Sequence, residues 1–466
     1  MMPISPARSA PLSIPRLCAD IKGRVIAPDD ADYDAARTVF VGGIDRRPVA
    51  IVRVADAVDV AKVLSVARES GLELAVRSGG HGNGGHGVTD GGILLDLHDI
   101  RALDIDLDGQ TAWAGAGLTA GEYSMAVAAH GLATGFGDTG SVGLGGITVG
   151  GGIGYLVRKY GLTIDDLLTA DVVTADGELR RVDAEHDPDL FWAIRGGGGN
   201  FGVATRFKYR LHDVAGIVGG MLLLPATAEV IAGFMVAAEA APEELTTIAN
   251  VMPCPPMPFV PEDQLGRLSI VALLCYAGDT EAGNRAIAPF RALAAPIADM
   301  VRPMSYPEIY PPDSDDYHPI AAGRTMFVDT IDQGVASTIP EHLEASTGMM
   351  AVAQLRVLGG AMAQVPVEAT AFAHRKSRIL VNLAALHERA SEQPIHEAWV
   401  GDFADAIRQG DDGAYVNFLG DEGETRIRAA YPAATWERLA EVKRRYDPTN
   451  LFRLNQNIPP AATDRD

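Results

Sequence analysis

Cysteine is scarce: Cys18, Cys254 and Cys275 are the three thiols of 466 residues, and none stands at a CxxC or metal-type spacing. That excludes a disulfide framework and makes a reducing cytoplasm the expected compartment. Positive charge is also short, with 39 Lys and Arg against 61 Asp and Glu and a formal charge of −22. A nucleic-acid partner is thereby excluded, because phosphate binding needs a basic face. No apolar run approaches the length that spans a bilayer, so no membrane partner is expected. Met1 to Ser13 lacks the apolar stretch of a signal peptide and reads as a loose leader. The remaining composition, 47% hydrophobic and 21% charged, is that of an ordinary globular protein with room for large cores. Composition leaves the oligomeric state, monomer or homodimer, open.

Glycine is plentiful at 51 residues, and it is bunched. The first bunch is Arg77-Ser78-Gly79-Gly80-His81-Gly82-Asn83-Gly84-Gly85-His86-Gly87. A loop of this kind can wrap its N–H groups around an anion, since no Cβ blocks the approach. The chain before it reads as a βαβ unit. Pro48–Val54 is a predicted strand, and Asp56, with Asp59 three positions on, caps a helix. Val60, Val63, Leu64 and Ala67 form one face of that helix, and Gly71 stops it. Leu72–Val76 is the next strand and delivers the chain into the loop, the end of a strand where open α/β sheets bind ligands. A dinucleotide fingerprint is excluded, because the chain returns to a strand at Gly92–Asp96 instead of opening a helix. A P-loop is excluded by the missing Gly-Lys-Ser/Thr. His81 and His86 lack further ligands at suitable spacing, so no metal is expected.

Leu118–His130 is predicted helical, ending at Gly131. A second bunch follows, Thr139-Gly140-Ser141-Val142-Gly143-Leu144-Gly145-Gly146, continuing through Gly150-Gly151-Gly152 to Gly154. The third is Gly196-Gly197-Gly198-Gly199-Asn200-Phe201-Gly202-Val203. Glycine costs conformational entropy on folding, so repeated bunches argue against mere turns. One elongated ligand touched at several points explains them economically.

These bunches, with Arg158-Lys159-Tyr160-Gly161-Leu162, Asp189-Leu190-Phe191-Trp192-Ala193-Ile194-Arg195-Gly196 and the tail Tyr446-Asp447-Pro448, Phe452-Arg453 and Asn455-Gln456-Asn457-Ile458, carry a resemblance. The sequence resembles the FAD-linked oxidases of the vanillyl-alcohol-oxidase type, in their berberine-bridge-enzyme-like branch. The resemblance implies an α+β fold. Residues 1–215 would form a two-part FAD-binding domain of the PCMH type, and residues 216–410 an α+β substrate domain with an antiparallel sheet. The segment 411–466 would then return to the FAD domain. It also implies FAD joined through its 8α carbon to His81, an imidazole being a suitable nucleophile. His86 is read as a solvated loop histidine. Some relatives carry a second, cysteinyl link; Thr139 stands at that position here, so a single link is expected.

The cofactor residues implied are Arg77, Ser78, Gly79, Gly80, His81, Gly82, Thr139, Gly140, Val142, Gly143, Gly145, Gly146, Gly150, Gly151, Gly152, Gly154, Gly202, Val203, Asn417, Asn455 and Asn457. In the middle region, Met221–Leu224, Leu268–Tyr276, Met350–Val357 and Ile379–Ala385 read as strands, and Ala228–Ala238 and Ala282–Arg291 as helices. The proline-rich pieces Pro253–Pro261 and Pro307–Pro319 read as irregular loops. Phe372 is a candidate pocket residue, and His374 beside Arg375 a structural histidine. Tyr415-Val416-Asn417 resembles the segment whose tyrosine takes a proton from the substrate in several relatives, which would help hydride leave the neighbouring C–H. That base needs a site favouring phenolate. The expected activity is an oxidase moving hydride from an alcohol or amine carbon to FAD, with O₂ reoxidising the flavin to give H₂O₂. A dehydrogenase or oxidative cyclase using another acceptor, and a catalytically idle flavin-binding protein, stay open.

Overall fold

The computed structural model describes residues 12–312 and 317–462, so most of the expected leader and part of the Pro307–Pro319 piece lie outside the described residues. The first sheet holds β1 (Arg24–Ile26), β2 (Ala50–Arg53), β3 (Leu74–Arg77) and β4 (Ile93–Asp96) in the order β1-β2-β4-β3. The predicted βαβ unit is present, but β2 and β3 do not touch. Both pair in parallel with β4, which lies between them and is buried at every residue. The linking helix Ala57–Ser70 starts where Asp56 accepts from the N–H groups of Val58 and Asp59, and ends at Gly71 with φ of +67°. Asp59 is buried and receives the N–H groups of Lys22, Gly23 and Ala55, tying β1 to the helix.

The second sheet is antiparallel: β5 (Leu103–Asp106), β6 (Thr111–Gly115), β8 (Leu167–Val173), β9 (Leu179–Val182) and β10 (Val203–Arg210) lie in the order β5-β6-β10-β8-β9. A small pair, β7 (Leu132–Ala133) with β11 (His212–Asp213), sits beside it. The helix predicted over Leu118–His130 runs from Ala120 to Ala128 under a Thr119–Glu122 capping box.

The third sheet is antiparallel too. It contains β12 (Ile217–Pro225), β13 (Leu245–Pro253), β14 (Leu268–Tyr276), β15 (Ala298–Asp299), β16 (Arg302–Met304), β17 (Ile320–Val328), β18 (Met350–Val357) and β19 (Ile379–His387). Their order is β15-β12-β14-β13-β18-β19-β17, with β16 beside β12. Alternate residues divide between two faces. Ala351, Ala353, Leu355 and Val357 pack with helices Ala228–Ala240, Thr280–Arg291, Gln333–Glu344 and Gln393–Ile407 in one core. Phe327 and Leu380 face the other way and pack with Ile153, Val157 and Ile164 of the first half of the chain. The four strands expected here are present. β13 and β17 went unpredicted because Thr246, Thr247 and Asn250, and Gly323, Arg324 and Thr325, break their apolar runs.

The tail returns to the first half. Helix Ala433–Tyr446 buries Lys443, whose Nζ donates to Asp447 Oδ2 at 2.7 Å and to the carbonyls of Asn200 and Phe452 at 2.7 and 2.9 Å. A buried ammonium is stable only when paired and bonded in this way.

Candidate functional site

A cavity of about 470 Å³ lies between the glycine bunches and the third sheet. On one side the loops approach so closely that a Cβ at Gly79 would lie 2.3 Å from Gly143 N, and one at Gly143 2.2 Å from Gly79 N. Ser78 Oγ joins the same contact, donating to Ala116 O at 2.6 Å and accepting from Gly145 N at 3.2 Å. Two of the bunches therefore interlock first and present a wall second. Ser78, Gly79, Gly80, His81, Gly82, Thr139, Val142, Gly143, Gly145, Gly146, Gly202, Val203, Tyr415, Asn417 and Asn455 all line the cavity.

Arg77 reaches the wall too, but its charge is spent elsewhere. Its guanidinium pairs with buried Asp96 at 2.7 Å and donates to the carbonyls of Ala36 and Thr38. It fastens the loop and is not a free cation facing a ligand.

Six expected cofactor residues stand off the wall. Gly140 accepts from Gly121 N and packs on the helix Ala120–Ala128, and a Cβ at Gly154 would lie 2.1 Å from Phe136 O. Gly150, Gly151 and Gly152 form a seat for the tail: a Cβ would meet Asn417 Oδ1 at 1.8 Å, Tyr415 Cε2 at 3.4 Å and Thr163 Oγ1 at 1.9 Å respectively. The small residue is needed there to admit another part of the protein. Asn457 lies off the wall as well, its Oδ1 buried without a partner.

Phe372, the candidate pocket residue, also stands behind the wall. It packs in the core with Phe327 and Leu380 and meets the Tyr415 ring edge-on at 6.1 Å. His374 is structural, as expected: Nε2 faces Ala430 O at 3.0 Å, the ring stacks on Phe327, and burial holds its pKa down.

His86 departs from its expected solvated state. Both ring nitrogens are buried without a protein partner, and the residue lines the cavity. Burial, and then nearby Arg46, push its pKa down, so the imidazole is neutral. His81 lies face to face with Phe40, centroids 4.2 Å apart and planes 17° from parallel.

Tyr415 is the most elaborated group. Its Oη receives the N–H of Gly152 at 2.9 Å, that of Ile153 at 3.3 Å and Asn417 Nδ2 at 3.0 Å. Asn417 Nδ2 also donates to Ile147 O, which fixes the amide orientation. Burial pushes the phenol above its ordinary pKa, while the three donors and the Arg356 charge pull it back.

Opposite these lies a wall the sequence did not reveal. Gln354 and Arg356 on β18, Asn382 on β19 and Asp138 line the cavity with Phe40. Asn250, Gln354, Asn382 and Thr325 are successive cross-strand partners. Arg356 Nε donates to Gln354 Oε1 at 2.9 Å, and Gln354 Nε2 to Asn250 Oδ1 at 2.9 Å. Arg356 also forms a salt bridge with Asp138. The alternation along Met350–Val357 was the available signal, placing Gln354 and Arg356 together on the face away from the helices.

Unpaired buried polar atoms cost about 1–3 kcal/mol each. Both nitrogens of His86 and Oδ1 of Asn455 are such atoms among the residues lining the cavity. A side-chain-free cradle with unused donors and acceptors fits an elongated, polar-edged, ring-bearing ligand, and FAD answers that description.

Comparison with known proteins agrees. Residues 48–183 match a FAD binding domain, and residues 414–459 match a family described as berberine and berberine like. The chain is 32% identical to (R)-6-hydroxynicotine oxidase of Paenarthrobacter nicotinovorans over 94% of its length and 97% of the relative's. It is 28% identical to berberine bridge enzyme-like 17 of Arabidopsis thaliana, over 90% and 86% of the two chains. The crystal structure of 6-hydroxy-D-nicotine oxidase from Arthrobacter nicotinovorans superposes with a TM-score of 0.84 at 28% identity, covering 95% of this chain and 98% of that one.

Proposed function

Since this chain belongs to the berberine-bridge-like FAD-linked oxidoreductases, we propose that it is an oxidase that moves hydride from an alcohol or amine carbon of a small molecule to FAD, with O₂ as the final acceptor. FAD, when bound, supplies the hydride acceptor and the site of reoxidation to H₂O₂. Its phosphates and rings would be held by the cavity-lining backbone from Ser78 to Gly82, at Val142, Gly143, Gly145 and Gly146 and at Gly202–Val203, with Asn417 and Asn455 at its edges. His81 would carry a single covalent link, because Thr139 offers no thiolate for a second.

The observation supporting this reading best is the seat of Tyr415. A phenol oxygen with its own proton has room for fewer acceptor bonds than a phenolate. Three N–H donors converge on Oη here, the surroundings of an anion. Those donors stabilise the phenolate form that takes the substrate's O–H or N–H proton, while burial opposes it. Arg356 and Asp138 neutralise each other, so the opposite wall orients a substrate mainly through the amides of Gln354 and Asn382.

The test is anaerobic mixing of the purified yellow protein with panels of alcohols, sugars and cyclic amines, followed by admission of air. An oxidase bleaches with its substrate, recovers its colour in air and releases one H₂O₂ per O₂ consumed. Bleaching that only an added dye reverses identifies a dehydrogenase. Acid-precipitated protein is expected to keep its flavin on the His81 peptide, and His81→Ala to lose that attachment while still binding FAD.

A further inference from the structure

We propose that Phe40 is a positioning residue for the attachment of FAD to His81, an inference that rests on the histidyl link put forward above. Phe40 lies ahead of the matched FAD-binding segment, which begins at residue 48. It is joined to the attachment loop twice. Its N–H donates to Gly80 O at 3.1 Å, and its ring lies over the His81 imidazole at 4.2 Å. The preceding residues grip the same loop, Ala36 and Thr38 through their carbonyls on the Arg77 guanidinium. Val39 lies beside Gly80, whose φ of +73° is the left-handed backbone that glycine adopts most readily.

Phe40 is itself held from the substrate half. Tyr317 meets its ring edge-on at 6.1 Å, His318 Nδ1 lies 3.3 Å from its carbonyl, and Gly42 N donates to Pro319 O at 2.9 Å. Residues 36–42 thus form a splint along the loop at Arg77, Gly80 and His81.

The reacting lone pair of an imidazole lies in the plane of the ring. A parallel aromatic partner covers one face and hinders the ring from tipping out of its plane. An unstacked imidazole samples other rotamers and spends less time in a reactive alignment. The net reaction is flavin–CH₃ plus imidazole N–H plus O₂, giving flavin–CH₂–imidazole plus H₂O₂. One C–H and one N–H bond break, one N–C bond forms, and two electrons with two protons leave on O₂. Phe40 takes no part in that exchange; it sets the fraction of His81 rings aligned for it.

The experiment follows attachment and not turnover. Protein produced under riboflavin limitation is incubated with FAD in air, aliquots are precipitated with acid, and flavin fluorescence in the protein is recorded against time. Phe40→Leu and Phe40→Met are expected to bind FAD, as judged by the visible spectrum, but to attach it roughly 2- to 12-fold more slowly, the range that one aromatic pair controls. Phe40→Tyr should attach it at close to the wild-type rate. Tyr317→Ala, at a half-exposed position outside the core, should slow attachment by a smaller factor. Wild-type rates in Phe40→Leu and Phe40→Met overturn the proposal, as does a Phe40→Tyr variant as slow as they are. If neither non-aromatic variant takes up FAD, an unchanged rate in Tyr317→Ala overturns it. Wild-type protein with no flavin on the His81 peptide overturns the link itself, whereas linked wild type with unaffected variants overturns only the role of Phe40.

Discussion

On one side of the cavity the wall is backbone, at Gly79, Gly80, Gly82, Gly143, Gly145 and Gly146; on the other it is side chains, at Gln354, Arg356 and Asn382. The glycine wall obtains its shape from loops locked against each other, so it is fixed before any ligand arrives. The side-chain wall obtains its shape from a chain of hydrogen bonds running Arg356 to Gln354 to Asn250. Such a network can be rewritten one residue at a time without disturbing the sheet beneath. A cofactor common to a family suits the first kind of wall, and a substrate that differs between members suits the second. Tyr415 stands where the two meet.

The largest test of this contrast is Tyr415→Phe, which keeps the ring packing but removes the proton acceptor. Its kcat/KM is expected to fall by about 10²–10⁴-fold with flavin content unchanged. Because burial raises the Tyr415 pKa, the phenol is protonated at neutral pH. The wild-type rate should therefore climb on the alkaline side, and the variant's profile should be flat there.

Next in size is Gly143→Ala. The added carbon would meet backbone at 2.2 Å and Ser78 Oγ at 2.2 Å, so about 3 kcal/mol of stability should be lost, together with bound flavin. Gly146→Ala is its partner experiment. Beyond its own helix and chain neighbours, a Cβ at Gly146 would have no atom within 4 Å, so the melting temperature should hold while flavin affinity falls. Equal effects of the two substitutions would remove the distinction between locking and lining.

On the other wall, Arg356→Met removes the partner of Asp138 and the donor that orients Gln354. A loss of about 2 kcal/mol is expected by chemical denaturation, and flavin should stay bound. The smallest effect concerns pH. His86 and His374 both have pKa values lowered by burial. The unfolded chain therefore binds their protons first, and stability should fall as pH drops below about 6.5, by at most about 1.4 kcal/mol per pH unit for each group. His374→Phe should make the acid limb shallower.

What the sequence revealed follows the same division. The glycine bunches stood out because glycine has so few other reasons to cluster, and the tail motif was legible from Tyr415 to Asn417. Glycine does not say, however, what comes close to it. Gly150, Gly151 and Gly152 admit Tyr415, Asn417 and Thr163, and in the sequence they look the same as glycines that face a ligand. Arg77 was counted among the cofactor residues because Asp96, its counter-charge, lies on another strand. His86 looked solvated because nothing local shows that the loop folds inward. The pairing of Asp138 with Arg356 spans 218 positions, beyond the reach of any spacing rule. Asn250 and Asn382 come beside Gln354 only through sheet register.

Among the described residues, the strands of the third sheet and the helices packed on it all fall between Ile217 and Ile407, and the chain on either side of that stretch shares one core. The roof is therefore a cassette, entered once and left once. Exchange of that one stretch between relatives would transplant Asn250, Gln354, Arg356 and Asn382 together, while the cradle below, clamped shut by Lys443, keeps both its halves. Diversification of substrate in such an enzyme needs only one crossover at each end of a single insert.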